Sequence, residues 1–306
     1  MIGTVLLADG LWQRLMENPF YQNALWGGIG VALACGMLST FVVLKRMSFI
    51  GEGVAHAGFG GLGVALLLGL VLEGVRPALA RDGVIAVFCV ATAWAIGCLA
   101  RRGRLSEDAA IGICLVAAMA LGVLLLDVRA QALQWLVEAG RLTRGEIGYR
   151  PDWEPILFGN IFFIDRHEVW LVWGLAAVVA VALAATFKEL VFFTFDEETA
   201  EVFGVRTRLL YYGLLTLLAL AIVAAMRSLG VVLATGLLVL PGAAAKCWSR
   251  QIGRVTLIST LIAVVGVTAG LVLAVWLGKY SPGPIIVLTL VLAFAVSSVV
   301  GRRRGR

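Results

Sequence analysis

The chain has 306 residues, 61% hydrophobic and 14% charged, with a formal net charge of +6 and a mean hydropathy of +0.97. A soluble domain carries about 25% charged residues, so a water-soluble globular fold is excluded. The basic excess lacks an aromatic-interleaved basic face, so no nucleic-acid partner is expected.

The reading is all-α: a polytopic integral membrane protein forming one transmembrane domain, 1–306, since no long stretch has globular composition. Residues 1–23 form an N-terminal segment, with 8–22 a short interfacial helix. No basic n-region precedes an apolar h-region, so no cleaved signal peptide is expected. A spanning helix needs about 20 apolar residues, and runs almost free of charge fall at 24–44, 54–72, 83–100, 109–126, 169–187, 209–226, 229–245, 255–278 and 283–300. That makes about nine spans. A long outer segment, 127–166, is rich in charge and Trp, with room for an extra short helix at Glu154–Asn160.

Lys and Arg orient the spans. With the N-terminus outside, the inside loops hold Lys45 and Arg46; Arg101, Arg102 and Arg104; Lys188, Arg206 and Arg208; Lys246, Arg250 and Arg254; and Arg302, Arg303, Arg304 and Arg306. These are 15 of the 25 basic residues, and five of the remaining ten lie in the long outer segment. The expected topology is N-out/C-in, and an extra or missing span would invert one end. The terminal arginines anchor the chain beside anionic lipid.

Glu52 and His56 are four apart in Gly51-Glu52-Gly53-Val54-Ala55-His56-Ala57-Gly58. On a helix that spacing puts them on one face, and ionisable groups within a bilayer mark substrate or ion paths. Carboxylate plus imidazole is half a site for a divalent metal. Zn²⁺ takes four ligands and Mn²⁺ about six, so the rest would come from elsewhere in the fold, from water or from a second subunit. Seven glycines occupy 51–69. They suit a pocket or pore lining, or a plain helix-packing face with one satisfied polar pair.

The inside segment 194–206 reads as a short helix. Thr194 or Asp196 caps it, the acids of the first turn suit the dipole, and Gly204 ends it. It is a handle for a cytosolic partner or a plain interfacial loop helix. Pro241 and Gly242, deep in the seventh span, break the helical hydrogen-bond ladder and make either a transport hinge or a static packing kink. Asp165-Arg166-His167-Glu168 is a solvated boundary. The five cysteines are scattered without Cys-x-x-Cys, which points to small buried hydrophobes rather than disulfides or a thiolate site. With no Walker A sequence and no His-Glu-x-x-His, the chain is expected to hydrolyse nothing itself.

These segments resemble the ABC-3 family of permeases, membrane subunits of bacterial ABC importers for zinc, manganese or iron(II). The likeness runs in order through Arg46–Ala57, Leu157–Asn160, Phe195–Gly204, Leu237–Pro241 and Ser281–Pro284. In the family the position of Glu52 is commonly Asp. The longer side chain keeps the charge and moves the oxygen by about one methylene, and region 128–153 has no counterpart in the pattern. The resemblance implies ATP-driven alternating access in the bacterial cytoplasmic membrane. An extracytoplasmic metal-binding protein would deliver the metal, and a second permease subunit, identical or different, would complete the path. A cytosolic ATP-binding subunit would dock on Asp196, Glu197, Glu198, Ala200, Glu201 and Gly204. Glu52 and His56 would lie on the metal path, with metal as cargo and no permanently bound cofactor. The competing reading is a proton-coupled secondary metal transporter. It would need several intramembrane acids, and the spans hold essentially none beyond Glu52.

Overall fold

Eleven α-helices and no strands make up the described residues, which are 18–71, 77–101, 105–139, 161, 164–278 and 280–304 of a computed structural model. In chain order they are α1 (Pro19–Leu44), α2 (Ile50–Val71), α3 (Pro77–Arg101), α4 (Glu107–Glu138), α5 (Arg166–Ala185), α6 (Phe187–Phe195), α7 (Glu197–Val202), α8 (Thr207–Leu229), α9 (Val231–Lys246), α10 (Ile252–Leu277) and α11 (Pro282–Arg304). Eight are long and apolar enough to cross a membrane, and α9 is a shorter apolar helix. The nine runs read from the sequence therefore each correspond to one helix, and the protein is a polytopic all-helical membrane protein.

Two boundaries differ from the expectation, each for a local reason. The first helix starts at Pro19, where the ring suits the first helical position and Asn18 caps the Phe20 amide. Residues 19–22, expected to lie in the interfacial segment, thus belong to the first span, while 1–17 lie outside the described residues. The fourth helix runs on from 126 to Glu138, because 127–138 contains no Gly or Pro to stop it. At 32 residues it is about 48 Å long, against about 30 Å of bilayer hydrocarbon. Much of the segment expected as a long outer loop is therefore helix, carrying Asp127, Arg129 and Glu138. The helix expected at Glu154–Asn160 and most of region 128–153 lie outside the described residues.

The chain divides into two compact units. The first comprises Met1–Ser48, Glu154–Tyr211 and Ala224–Arg306. Its centre is α1, which packs against α5, α9 and α10, while α11 packs on α9 and α10. Leu38, Phe41, Leu237, Val267 and Leu271 are fully buried there. In lipid, apolar side chains gain little from meeting one another, so close backbone approach and interhelical hydrogen bonds hold such helices together. A Cβ on Gly36 would lie 2.9 Å from the Thr260 Cα, and one on Gly270 would lie 2.7 Å from the Ile286 Cα. Ser259 donates to the Gly36 carbonyl at 2.7 Å.

The second unit comprises Phe49–Trp153 and Tyr212–Val223. Within it α2 packs against both α3 and α4. Trp94 donates to the Thr216 hydroxyl at 2.9 Å, which ties α3 to the middle of α8. Between α8 and α9 stands Gly230 alone, with φ 87° and ψ 163°. That backbone region is essentially open only to glycine. All five cysteines are free thiols.

Candidate functional site

Glu52 lies in the first turn of α2, where a carboxylate suits the positive end of the helix. It is exposed, and it sits at the end of the helix rather than in mid-span. His56 is one turn further and half-buried. Its Nδ1 is 2.9 Å from the Glu52 main-chain oxygen. A carbonyl only accepts, so Nδ1 carries a proton there, and Nε2 is the nitrogen that holds the lone pair in the neutral ring. A carbonyl that fixes the tautomer of a histidine in this way is the usual outer partner of a metal-binding imidazole. The Phe59 ring lies 6.2 Å from the imidazole.

Four glycines of this stretch, 53, 60, 61 and 63, are packing positions. A Cβ on Gly53 would meet Ile111 at 2.7 Å, one on Gly60 would meet the Ala118 oxygen at 2.8 Å, and one on Gly63 would meet the Gly122 oxygen at 2.9 Å. These are contacts with α4, so α2 runs unbroken from Ile50 to Val71 as a close-packed helix. Among the described residues, no cluster of three or more His, Cys, Asp or Glu side chains forms a complete metal site. Glu52 and His56 supply at most two donors.

The α7 helix is defined by its own ends. The Asp196 carboxylate accepts from the Thr199 amide at 2.9 Å and from the Thr199 hydroxyl. Thr194 instead donates back to the Leu190 carbonyl, so Asp196 is the cap and Thr194 is not. The Thr199 hydroxyl, then its amide, holds the Asp196 carboxyl below its ordinary value. At the other end Gly204, at φ 82°, closes the helix. Its amide donates to the Glu201 carbonyl and that of Val205 to the Ala200 carbonyl. This is the paired closure that a left-handed residue makes at a helix C-terminus. Ala200 is buried, while Glu198, Glu201, Val202 and Phe203 are exposed. Glu197 meets Lys45 at 3.4 Å.

Pro241 and Gly242 are buried in α9. The Gly242 amide donates to the Ser39 hydroxyl of α1 at 2.8 Å, and a Cβ there would lie 2.6 Å from the Ser39 carbonyl oxygen. The break left by proline coincides with the tightest crossing of α9 and α1 recorded at any glycine. At the other end of the first unit Glu168 pairs with Arg227. Sequence reasoning missed Ser39, Thr199 and Lys45 as partners. The signal available was the Asp-x-x-Thr cap spacing, which could have found Thr199.

The family model described as ABC 3 transport family matches residues 17–301. The chain belongs to the ABC 3 transport family. Among curated members of known name, it is 28% identical over 300 residues to the manganese transport system membrane protein MntC of Halalkalibacterium halodurans, covering 96% of this chain and 91% of that one. It is 30% identical over 281 residues to the chelated iron transport system membrane protein YfeD of Yersinia pestis, covering 92% and 85%. Its fold matches that of PsaBC from Streptococcus pneumoniae, solved in complex with a Fab, at a TM-score of 0.75 and 26% identity over 95% of each chain. As an ABC 3 permease the chain is a multi-pass membrane subunit, with the expected family and fold both met.

Proposed function

We propose that this chain is the membrane permease subunit of an ATP-driven importer for a divalent transition metal, with Glu52 and His56 on the metal path. The observation that carries the reading is the His56 tautomer. Its Nδ1 is committed to the Glu52 carbonyl, which leaves Nε2 as the ring nitrogen for a metal, one turn from an exposed carboxylate on a close-packed helix. The names of the relatives favour manganese or iron. An imidazole–carboxylate pair suits either, and zinc belongs to the same donor chemistry. The ligands this pair lacks would come from water, a second permease subunit or the extracytoplasmic binding protein.

On this reading the N-terminus is outside and the C-terminus inside, in the bacterial cytoplasmic membrane. The segment 194–206, with the α7 helix at its centre, docks on a cytosolic ATP-binding subunit that hydrolyses the nucleotide. Glu198 and Glu201 offer it charge, Asp196 and Gly204 hold the shape, Ala200 seats the helix, and Glu197 ties it to α1. A hinge at Pro241–Gly242 would have to part the Gly242 amide from Ser39. A proton-coupled transporter is less well supported, because the family is that of ABC permeases and acids remain sparse within the spans.

The test is metal-stimulated ATP hydrolysis by the complex reconstituted in lipid with its ATP-binding and binding-protein partners, using Mn²⁺, Fe²⁺ and Zn²⁺ in turn. Stimulation by one metal, lost in His56→Ala, is expected. No stimulation by any of the three from an assembled complex would overturn the proposal.

A further inference from the structure

Where α1 ends, its last turn is fastened to the segment that carries the inside helix. Phe41 and Lys45 are one turn apart and share a face. The Phe41 ring meets that of Phe187 in α6 edge-on, with centroids 6.4 Å apart. Lys45 Nζ lies 3.5 Å from the centroid of the buried Phe193 ring and 3.4 Å from Glu197 Oε2, at the start of α7. The ammonium thus holds an aromatic face and a carboxylate together, with only 15% of its side chain exposed. A cation over a ring and beside an acid in a partly dry setting is a directional clamp.

The chain then turns sharply. Arg46 has φ 60°, a left-handed conformation in which a residue other than Gly is strained. The turn is closed by Arg46 donating to the Val43 carbonyl and Met47 to the Val42 carbonyl, the same paired closure that ends α7. After it α2 starts at Ile50. Glu52 is therefore seven residues along the chain from the clamped lysine, and its amide donates to the Phe49 carbonyl at 3.1 Å.

We infer that Lys45 is a positioning residue that couples the inside helix to the helix bearing Glu52 and His56. A displacement of α7 pulls on Glu197 and Phe193, hence on Lys45 and the end of α1, and the closed turn at Arg46 passes it to the first turn of α2. Lys45 touches neither metal nor nucleotide. The inference rests on the permease reading above and adds the route by which the two sites communicate.

The experiment uses the reconstituted complex and Mn²⁺ as the probe, and reads three quantities: co-purification of the ATP-binding subunit, ATP hydrolysis, and Mn²⁺ taken up per ATP hydrolysed. Lys45→Ala is expected to keep the subunit bound and to lower the uptake ratio at least fivefold. Lys45→Arg keeps the cation and holds the ratio within about twofold. Lys45→Glu alone matches the alanine variant, and combining it with Glu197→Lys restores at least half of the ratio. A purely structural loss of folding would not be repaired by the exchanged pair. An unchanged ratio in Lys45→Ala, loss of the ATP-binding subunit from it, or no recovery in the exchanged pair would each overturn the coupling role. A wild-type complex that neither binds the ATPase nor moves metal would instead overturn the permease reading itself.

Discussion

The α2 and α7 helices carry the acids on which the proposed function depends, and they are held in opposite ways. The α2 helix is held by what it lacks. Glycines 53, 60 and 63 let α4 come close, and the Glu52 carboxylate has no ion-pair partner among the described residues. The α7 helix, six residues long, is held by its charges, through the Asp196 cap and the Glu197–Lys45 pair. So short a helix has little stability of its own. A segment fixed by packing can leave its carboxylate and imidazole available for a passing ion. A segment fixed by its acids has spent some of them on its own shape.

Three perturbations would break that contrast if it is wrong. The largest effect is expected at Glu52 and His56. Glu52→Gln and His56→Ala should each reduce metal uptake more than tenfold while the complex stays assembled, and uptake within twofold of wild type in both would remove them from the path. Next come the glycines. Gly60→Ala should lower the thermal stability of the protein in lipid or detergent by about 1–3 kcal/mol, the usual cost of overpacking, since its Cβ would meet the Ala118 carbonyl. Gly213→Ala, with nothing within 4 Å, should be neutral or gain up to about 1 kcal/mol from helix propensity. Equal melting shifts for the two would show that close approach does not hold α2.

The smallest effect is expected at the Asp196 cap. Asp196→Ala should lower amide-exchange protection at Thr199 with no change in global melting, and Asp196→Asn should retain most of it, because Asn caps nearly as well. The Asp196 carboxyl is lowered from its ordinary value of 3.8. Its contribution is therefore fully present above that value and is lost only as the pH falls through the lower folded-state value. Protection at Thr199 should be flat from pH 7 to 5, and a drop within that window would contradict the cap geometry.

The helices were legible because in a membrane the backbone must satisfy itself within each span, so apolar run length maps directly onto helix. That is why nine runs gave nine helices, including α9. Boundaries were less legible. Charge at 127–138 looked like loop, yet charged residues are good helix formers outside the hydrocarbon, and α4 simply continues. Glu52 and His56 stood out by residue type and spacing, and the glycines around them read equally well as pocket or packing until Ile111, Ala118 and Gly122 appeared opposite them. Ser39 against Gly242 and Lys45 against Glu197 were not legible, since partners 203 and 152 residues apart leave no mark in local pattern.

The two ion pairs of the first unit have a consequence that is purely one of counting. Lys45, at the end of α1, meets Glu197, beyond the end of α5 and α6. Glu168, at the start of α5, meets Arg227, near the end of α8. If α5 crosses once, Lys45 and Glu168 stand on opposite sides of the membrane, and the chain between them must cross an odd number of times. Among the described residues three helices, α2, α3 and α4, lie in that interval. If α9, α10 and α11 each cross once after Arg227, the C-terminus returns to the side of Lys45. The parity of the topology as far as Arg227 is thus written in two side-chain pairs, independently of any threshold on hydropathy.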